Sequence, residues 1–269
     1  MKEVLFKYKD QNITKDYIIS ALKELGLKQG EDLMVHSGLG EIGKLADIKD
    51  GNKLGNIIID LMIDLIKPGT LIFPVYSYSF CNKEEFNPKE SLSTVGALTN
   101  IFWKRKDSIR SLHPIFSIAA IGKDAEHYTE IKNNVCFGKE TFFDRLVESH
   151  VKVLGFGTRL VAALTLLHHT EQMNNVPYRY IKSFEGSIRT GNTVKEEKFE
   201  YFVRNLDMDT YFRLDKIEKF LSKHDAFNSI PFGGSRIDIV ESSKVFNLLS
   251  KELQKNPFFL VRNEDEKQK

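Results

Sequence analysis

The sequence contains little cysteine and no long hydrophobic run. Its two cysteines, Cys81 and Cys136, do not suggest a disulfide framework and are typical of a reducing compartment. No apolar run approaches the roughly 18 residues that a membrane-spanning helix requires. Residues 1–17 contain scattered charges and no apolar core, so we predict no signal peptide. A cytoplasmic protein that does not bind membranes is therefore expected.

The sequence also has almost no net charge. Its 39 basic and 37 acidic residues are interspersed and leave a net charge of +2 at pH 7. A nucleic-acid-binding protein would need a concentrated basic face, so nucleic acid is not an expected partner. A protein that captures polycations usually benefits from an acidic cleft, because opposite charge steers the encounter. The sequence shows no acidic excess of that kind.

What the sequence does contain is an alternation of short apolar strands and amphipathic helices. Thr14 is a plausible N-cap of a first helix that ends near Gly26, and a second helix stops at Pro68. Short buried strands are predicted at residues 33–35, 70–77, 116–122 and 151–157. This alternation indicates an α/β layered fold, in which functional residues usually lie in loops at strand ends.

After about residue 185 the pattern changes without a linker. Residues 187–206 alternate as a β-hairpin does, and residues 209–224 and 242–256 form amphipathic helices. We therefore expect one domain over residues 1–269. Its core spans about residues 30–180, and the hairpin and helices of about residues 185–260 pack on it.

The stretch TLLHHTEQ, residues 165–172, is the main catalytic candidate. On a helix, Thr165, His168 and Glu171 lie on one side because they are three residues apart, whereas His169 points elsewhere. A carboxylate one turn from an imidazole fixes its tautomer, raises its basicity and frees the other ring nitrogen as a general base. A solvated His-Glu pair on an ordinary helix has the same spacing, so this alternative stays open.

Two hydrolase chemistries are less favoured. A metal hydrolase would have to use His168, His169 and Glu171, yet neither H-E-x-x-H nor a Cys-x-x-Cys pair is present, so no metal is expected. A serine hydrolase would need a G-x-S-x-G elbow, which is absent as well.

Two loops are candidates for binding phosphate or a pantetheine chain. Residues 36–45, HSGLGEIGKL, place three glycines after a strand, where backbone N–H groups can approach a ligand. Residues 110–117, RSLHPIFS, display Arg110, Ser111 and His113 before a strand, and arginine binds phosphate bidentately. A plain tight turn explains the first loop equally well. A surface arginine and a capping histidine explain the second.

Six stretches occur in the order seen in one acetyltransferase family. They are MVHSGLGEIGKL, IKPGTLIFPVYSYSF, the stretch from STVGALT to DAEHY, CFGKETFFDRL, VKVLGFG and TLLHHTEQMNNVPYRY. Together they resemble the aminoglycoside 3-N-acetyltransferases, the antibiotic N-acetyltransferase family. The resemblance runs over about residues 30–180 and continues more loosely to about residue 260.

The resemblance implies an α/β/α sandwich, distinct from the fold of the commoner GNAT acetyltransferases. It also implies transfer of an acetyl group from acetyl-CoA to a primary amine of an amino sugar, with no metal. The family's catalytic T-x-x-H-x-x-E falls on Thr165, His168 and Glu171. The family's acetyl-CoA contacts fall on Ser37, Gly38, Leu39, Arg110, Ser111, His113 and Pro114. Some relatives pair as homodimers, so a homodimer is an open expectation.

The sequence departs from the resistance enzymes in two respects. The double serine that usually follows the histidine of the first loop is Ser37-Gly38 here, and the charge does not favour a polycation. A locally acidic cleft would have to come from candidates such as Glu171, Glu185, Asp207 and Asp209. An alternative acceptor is a nucleotide-linked amino sugar, or one from a surface-polysaccharide pathway. A binding protein that keeps the fold without activity is less favoured.

Overall fold

The computed structural model describes residues 3–208 and 210–262. Its strands are β1 (Val4–Tyr8), β2 (Gln11–Thr14), β3 (Leu33–Ser37), β4 (Lys44–Leu45), β5 (Leu71–Pro74), β6 (Ile109–Arg110), β7 (Ile118–Ile121), β8 (Lys152–Phe156), β9 (Arg179–Thr190), β10 (Thr193–Arg204), β11 (Asn228–Phe232) and β12 (Ser235–Glu241). Its helices are α1 (Lys15–Glu24), α2 (Gly51–Ile66), α3 (Ala97–Phe102), α4 (Ala125–Thr129), α5 (Phe142–Glu148), α6 (Leu160–Ala163), α7 (Leu166–Met173), α8 (Leu214–Lys223) and α9 (Ser242–Lys255). None of these helices is both long and apolar enough to cross a bilayer.

Local capping signals place the first two helices. The Thr14 hydroxyl accepts a hydrogen bond from the Tyr17 N–H at 3.3 Å, as expected of an N-cap. Gly26 follows the end of α1 with φ of 82°, a conformation that glycine adopts without strain. The Asp50 carboxylate accepts from two N–H groups in the first turn of α2. These features fix where α1 and α2 begin and where α1 ends before the chain turns towards β3.

Seven strands form one mixed sheet in the order β11-β12-β8-β3-β5-β7-β6. The central strands β8, β3 and β5 are parallel, and the outer strands pair antiparallel. The predicted central strands are therefore confirmed. The outer hairpin β11-β12 and the separate β1-β2 hairpin were not predicted, because their short apolar segments are interrupted by polar residues.

The sheet separates two hydrophobic cores. Met34 belongs to one core and its neighbours Leu33 and Val35 to the other, since successive side chains of a strand point to opposite faces. Helices α1, α2 and α3 contribute to the second core, and α5, α7 and α9 to the first. This is the predicted α/β/α layering.

The long β9-β10 hairpin packs on the first core. The rings of Phe80 and Phe199 lie 5.8 Å apart, and Phe86 forms a bridge with Ile188. The hairpin starts at Arg179, earlier than the sequence pattern indicated, because residues 180–183 are all exposed and show no alternation of buried and exposed positions. The expectation of a single domain stays a prediction.

Three histidines are buried in the protein interior. His36, His113 and His169 are at most 9% exposed, and burial lowers the pKa of each to about 4. Burial disfavours the charged imidazolium, so all three are neutral in the folded protein at neutral pH.

We expect the free energy of unfolding to decrease as the pH falls below the ordinary histidine pKa of about 6.5. The unfolded chain then binds protons that the folded protein cannot bind, which costs about 1.4 kcal/mol per histidine per pH unit down to the folded pKa. In His169→Asn one such group is gone, and the amide oxygen can still accept the Gly138 N–H. Thermal unfolding between about pH 5 and pH 7.5 should give a shallower pH dependence for this variant. An equal pH dependence of unfolding in wild type and His169→Asn would contradict the assignment of His169 as a buried, neutral histidine.

Candidate active site

The carboxyl ends of the three parallel strands meet at one edge of the sheet. Residues at or just beyond the ends of β3, β5 and β8, including Ser37, Tyr76 and Thr158, line a cavity of about 270 Å³. Thr165 and His168 from the start of α7 complete its wall. We call this the strand-end cavity. Strand ends of this kind are the usual binding edge of an open α/β sheet.

The backbone is tightly packed where β3 leaves the sheet. The Gly38 N–H donates to the Phe156 carbonyl oxygen at 2.9 Å. A Cβ atom added at Gly38 would lie 3.0 Å from the Gly157 carbonyl oxygen and 3.1 Å from the Thr158 Cβ. A serine here would need its neighbours to shift, which gives a physical reason for Ser37-Gly38 in place of a double serine.

His168 and Glu171 form the expected pair on α7. The His168 Nδ1 lies 2.8 Å from Glu171 Oε2. Glu171 is fully buried, and the His168 side chain is 23% exposed. Because a carboxylate only accepts hydrogen bonds, Nδ1 carries the hydrogen and the lone pair of the neutral ring lies on Nε2. The solvated-pair alternative does not describe this geometry.

Arg179, the first residue of β9, shares the same carboxylate. Its Nε lies 2.7 Å from Glu171 Oε2, and its side chain is only 7% exposed. Its Nη1 donates to the Phe202 carbonyl oxygen at 3.2 Å. The buried Glu171 carboxylate therefore lies between two partners, and the guanidinium compensates its charge.

The pKa of His168 is lowered from its ordinary value. Burial is the main cause, and the positive charge of Arg179 acts in the same direction. Glu171 opposes both by its hydrogen bond and its charge, but does not outweigh them. The sequence led us to expect a more basic imidazole. The structure instead gives one that is neutral, and able to accept a proton, over a wider pH range.

A second cavity of about 360 Å³ also reaches His168. It is lined by Ala162, His168, Tyr178, Arg179, Tyr201, Arg204, Thr210, Tyr211, Phe212 and Val261, and we call it the hairpin cavity. His168 and Phe212 also line the strand-end cavity, and their rings stack with centroids 5.4 Å apart. One imidazole therefore borders both cavities.

His169 is not part of this site. It is fully buried, its Nδ1 accepts the Gly138 N–H at 3.3 Å, and its ring packs against Phe143 and Phe246. The two adjacent histidines therefore diverge, as the helix geometry predicted. Within residues 3–208 and 210–262, no group of three His, Cys, Asp or Glu side chains is arranged to hold a metal.

Residues with hydroxyl groups line the strand-end cavity. The buried Ser37 Oγ makes no hydrogen bond to the described residues, whereas the buried Tyr76 hydroxyl interacts with the Thr165 side chain. Burial raises the pKa of Tyr76, so its hydroxyl keeps its hydrogen. The Thr165 hydroxyl, 3.4 Å from the Ala163 carbonyl oxygen, lines the same cavity. An unpaired buried donor is costly, so Ser37 indicates a place for a ligand oxygen.

The residues predicted to bind acetyl-CoA fall into two groups, and the first group lies at or next to the strand-end cavity. Ser37 lines the strand-end cavity, Gly38 forms the tight turn behind it, and Leu39 lines an adjoining groove of about 1060 Å³. The groove continues along α3. Gly96, the residue that precedes α3, lines the strand-end cavity. Three consecutive basic residues, 104–106, form its far part.

Arg110 lies outside both cavities and the groove. Its guanidinium donates five hydrogen bonds, to Ser117 Oγ twice and to the carbonyl oxygens of Pro88, Ser91 and Val75. It also lies over the Trp103 ring, 4.7 Å from the centroid. These contacts hold a loop to the sheet and occupy the guanidinium donors.

Ser111, His113 and Pro114 likewise make internal contacts. Ser111 Oγ accepts the Ile118 N–H, His113 Nδ1 accepts two N–H groups of the following turn, and the Pro114 carbonyl accepts from the Ser77 hydroxyl. The structure does not bring these residues to the cavity that contains His168. Their role in binding acetyl-CoA stays a prediction.

The acidic candidates do not form an acidic cleft among the described residues. Glu171 is buried and shared between His168 and Arg179, whereas Glu185 and Asp207 are exposed and line neither cavity. Asp209 lies outside the described residues.

Sequence reasoning missed Arg179 and Tyr76 as site residues. Both occur in stretches that carried the family resemblance, VPYRY and FPVYS, so their presence in shared motifs was the available signal. Their contacts with the histidine and the cavity depend on strand positions that the sequence does not show.

The fold is that of solved aminoglycoside acetyltransferases. The crystal structure of the AAC(3)-IVa apoenzyme matches with a TM-score of 0.75 at 22% identity, over 99% of this chain and 95% of that one. AAC-IIIb in binary complex with CoASH matches with a TM-score of 0.74 at 22% identity, over 90% of this chain and 96% of that one. AAC(3)-IVa has also been solved, as a mutant, in complex with a gentamicin.

The sequence comparisons establish the family. Residues 34–254 match the family described as aminoglycoside 3-N-acetyltransferase, the antibiotic N-acetyltransferases. Aminoglycoside N(3)-acetyltransferase IV of a Salmonella species is 33% identical over 171 residues, which cover 61% of this chain and 60% of that enzyme. The matched region thus spans less than two thirds of this relative. The chain belongs to the aminoglycoside 3-N-acetyltransferase family.

We expect opposite changes in the pKa of His168 when its two charged neighbours are altered. Arg179→Gln removes a positive charge and should raise the pKa, whereas Glu171→Gln removes the negative charge and should lower it further. An NMR titration of the His168 ring measures both shifts.

Breaking this buried pair should also lower the free energy of unfolding by about 3–5 kcal/mol in Arg179→Gln, so the titration requires a parallel thermal melt. A His168 pKa that is the same in folded wild type and both folded variants would show that the charges do not control the imidazole.

Proposed function

We propose that the protein is an acetyl-CoA-dependent N-acetyltransferase that acetylates a primary amine of an amino sugar. One observation carries the proposal: His168 is oriented by buried Glu171 and borders two cavities at once. One cavity suits the acyl donor and the other the acceptor, so donor and acceptor meet at the imidazole. Membership of an acetyltransferase family supports this assignment.

His168 acts as the general base. The attacking amine must lose a proton, and the lowered pKa of His168 leaves Nε2 free to accept it at neutral pH. The amine nitrogen bonds to the thioester carbonyl carbon and the carbon–sulfur bond breaks. The proton passes from the nitrogen to Nε2 and then to the departing sulfur, so coenzyme A leaves as the thiol. Direct transfer of this kind needs no nucleophilic side chain.

The strand-end cavity and the adjoining groove fit the donor. The narrow cavity, lined by Ser37 and Tyr76, matches a pantetheine arm and its thioester. The groove provides the side chains of Lys104 and Lys106 for the phosphates of the nucleotide part. The complex of the related AAC-IIIb with CoASH supports coenzyme A as the donor's carrier.

The developing oxyanion requires hydrogen-bond donors. Tyr76 and Ser37 carry hydroxyl groups and line the same cavity as His168, so we assign them this role. The role of Thr165, which also lines the cavity, stays a prediction.

Aminoglycosides are the acceptors named for the family and for several solved relatives, which supports an amino sugar here. A phosphorylated or nucleotide-linked amino sugar is the second candidate. It is favoured by the arginines of the hairpin cavity.

We expect His168→Ala to lower kcat/KM by about 10²–10⁴-fold, because the general base is lost. Release of free thiol from acetyl-CoA, measured with a panel of amine acceptors, tests this. The exposed His150, replaced by alanine, is a matched control that should leave the rate unchanged. Acetyl-CoA should still raise the Tm of His168→Ala. Wild-type turnover by this variant would rule out the mechanism.

We expect Tyr76→Phe to lower kcat by about 10²–10³-fold with little change in KM for acetyl-CoA, as is typical of a lost oxyanion donor. Steady-state kinetics with saturating acceptor separates the two constants. Tyr8→Phe, on strand β1 and outside the lining of the strand-end cavity, serves as control. A raised KM at constant kcat would instead assign Tyr76 to ground-state binding of the donor.

A further inference from the structure

Two arginines are paired across the β9-β10 hairpin in the wall of the hairpin cavity. Arg179 and Arg204 occupy directly opposite positions in the antiparallel register, and both line the cavity. Like charges at opposite positions on neighbouring strands repel each other. Negative charge near the two guanidinium groups would therefore stabilise the hairpin.

Of these two arginines, only Arg179 has a carboxylate partner among residues 3–208 and 210–262. Its partner Glu171 is fully buried and neutralises one positive charge. The Arg204 Nη1 donates to the Thr210 carbonyl oxygen at 3.2 Å, and its guanidinium lies over the Tyr211 ring, 4.9 Å from the centroid. Within residues 3–208 and 210–262, these contacts of the Arg204 guanidinium are thus with a neutral carbonyl and an aromatic ring, and neither offsets its charge.

The remaining walls of the hairpin cavity are aromatic and hydroxylic. Tyr178, Tyr201 and Tyr211 contribute rings and hydroxyl groups, and Thr210 contributes a further polar side chain. No acidic side chain lines the cavity among the described residues. Tyrosines of this kind pack against the apolar faces of a sugar or base and donate hydrogen bonds at their tips.

These charges do not suit an acceptor with several ammonium groups. Positive charge around the cavity repels a polycation and favours the unprotonated form of a single amine, which is the form that reacts. An acceptor with an anionic group gains attraction from Arg204, which compensates for that repulsion. The chemistry of the cavity therefore matches one amine and one anion on the same molecule.

We infer that the acceptor is a phosphorylated amino sugar, bound through its phosphate by Arg204 with its amine at His168. The inference rests on the proposed acetyl transfer and specifies its acceptor. A guanidinium donates two parallel hydrogen bonds to phosphate, and such charge-assisted bonds are the stronger ones in proteins. The phosphate is either a monoester on the sugar or part of a nucleoside diphosphate.

The test compares four acceptors by thiol release at a fixed acetyl-CoA concentration: glucosamine, glucosamine 6-phosphate, UDP-glucosamine and gentamicin. We expect at least one phosphorylated sugar to exceed glucosamine in kcat/KM by about tenfold or more. Which of the two does so distinguishes a monoester from a nucleotide-linked acceptor. In Arg204→Gln the ratio of kcat/KM for the phosphorylated sugar to kcat/KM for glucosamine should fall towards one. Arg204→Lys should retain part of this preference. Arg189→Gln is the matched control, because Arg189 lies at the other end of the hairpin, paired with Glu85.

The outcomes separate this inference from the proposed function. Acetylation of glucosamine or gentamicin with no advantage for either phosphorylated sugar would overturn the inference and leave the acetyltransferase activity intact. A phosphate advantage that survives Arg204→Gln would overturn the role of Arg204. No thiol release with any of the four acceptors, together with no Tm shift by acetyl-CoA, would overturn both.

Discussion

The carboxylate of Glu171 lies in the protein interior, shared between the imidazole of His168 and the guanidinium of Arg179. An isolated charge at this depth would cost several kcal/mol, so the carboxylate is stable only while its partners are present. The contact joins helix α7 to the first residue of the β9-β10 hairpin. It therefore orients the imidazole of His168 and positions one wall of the hairpin cavity at the same time.

This arrangement gives His168 a different pKa from that of a histidine in an isolated His-Glu pair. A carboxylate alone would raise the pKa of His168, but burial and Arg179 outweigh it. The ring is then held in one tautomer by Glu171 without being held in its charged form. A base that removes a proton from an amine at neutral pH needs this combination, because an imidazole that is already protonated cannot accept another proton.

The strand-end cavity and the hairpin cavity arise from different parts of the fold. The strand-end cavity follows from three parallel strands that end at one edge, with Gly38 and Gly157 in close backbone contact between them. The hairpin cavity follows from a pair of long antiparallel strands that lie on the first core. In the proposed mechanism, a relative could keep the strand-end cavity and change its acceptor by altering side chains that line the hairpin cavity.

Features that depend on neighbours in the chain were readable from the sequence. The Thr14 cap, the central strands and the placement of His168 and Glu171 on one helix face all follow from local spacing. The tertiary structure decided the rest, because burial and strand register join residues far apart in the chain. It placed Arg179 against Glu171 and opposite Arg204. It also enclosed Arg110 among backbone carbonyls, although the sequence suggested that this arginine binds phosphate. Local spacing cannot reveal which charge will be buried or which partner will neutralise it.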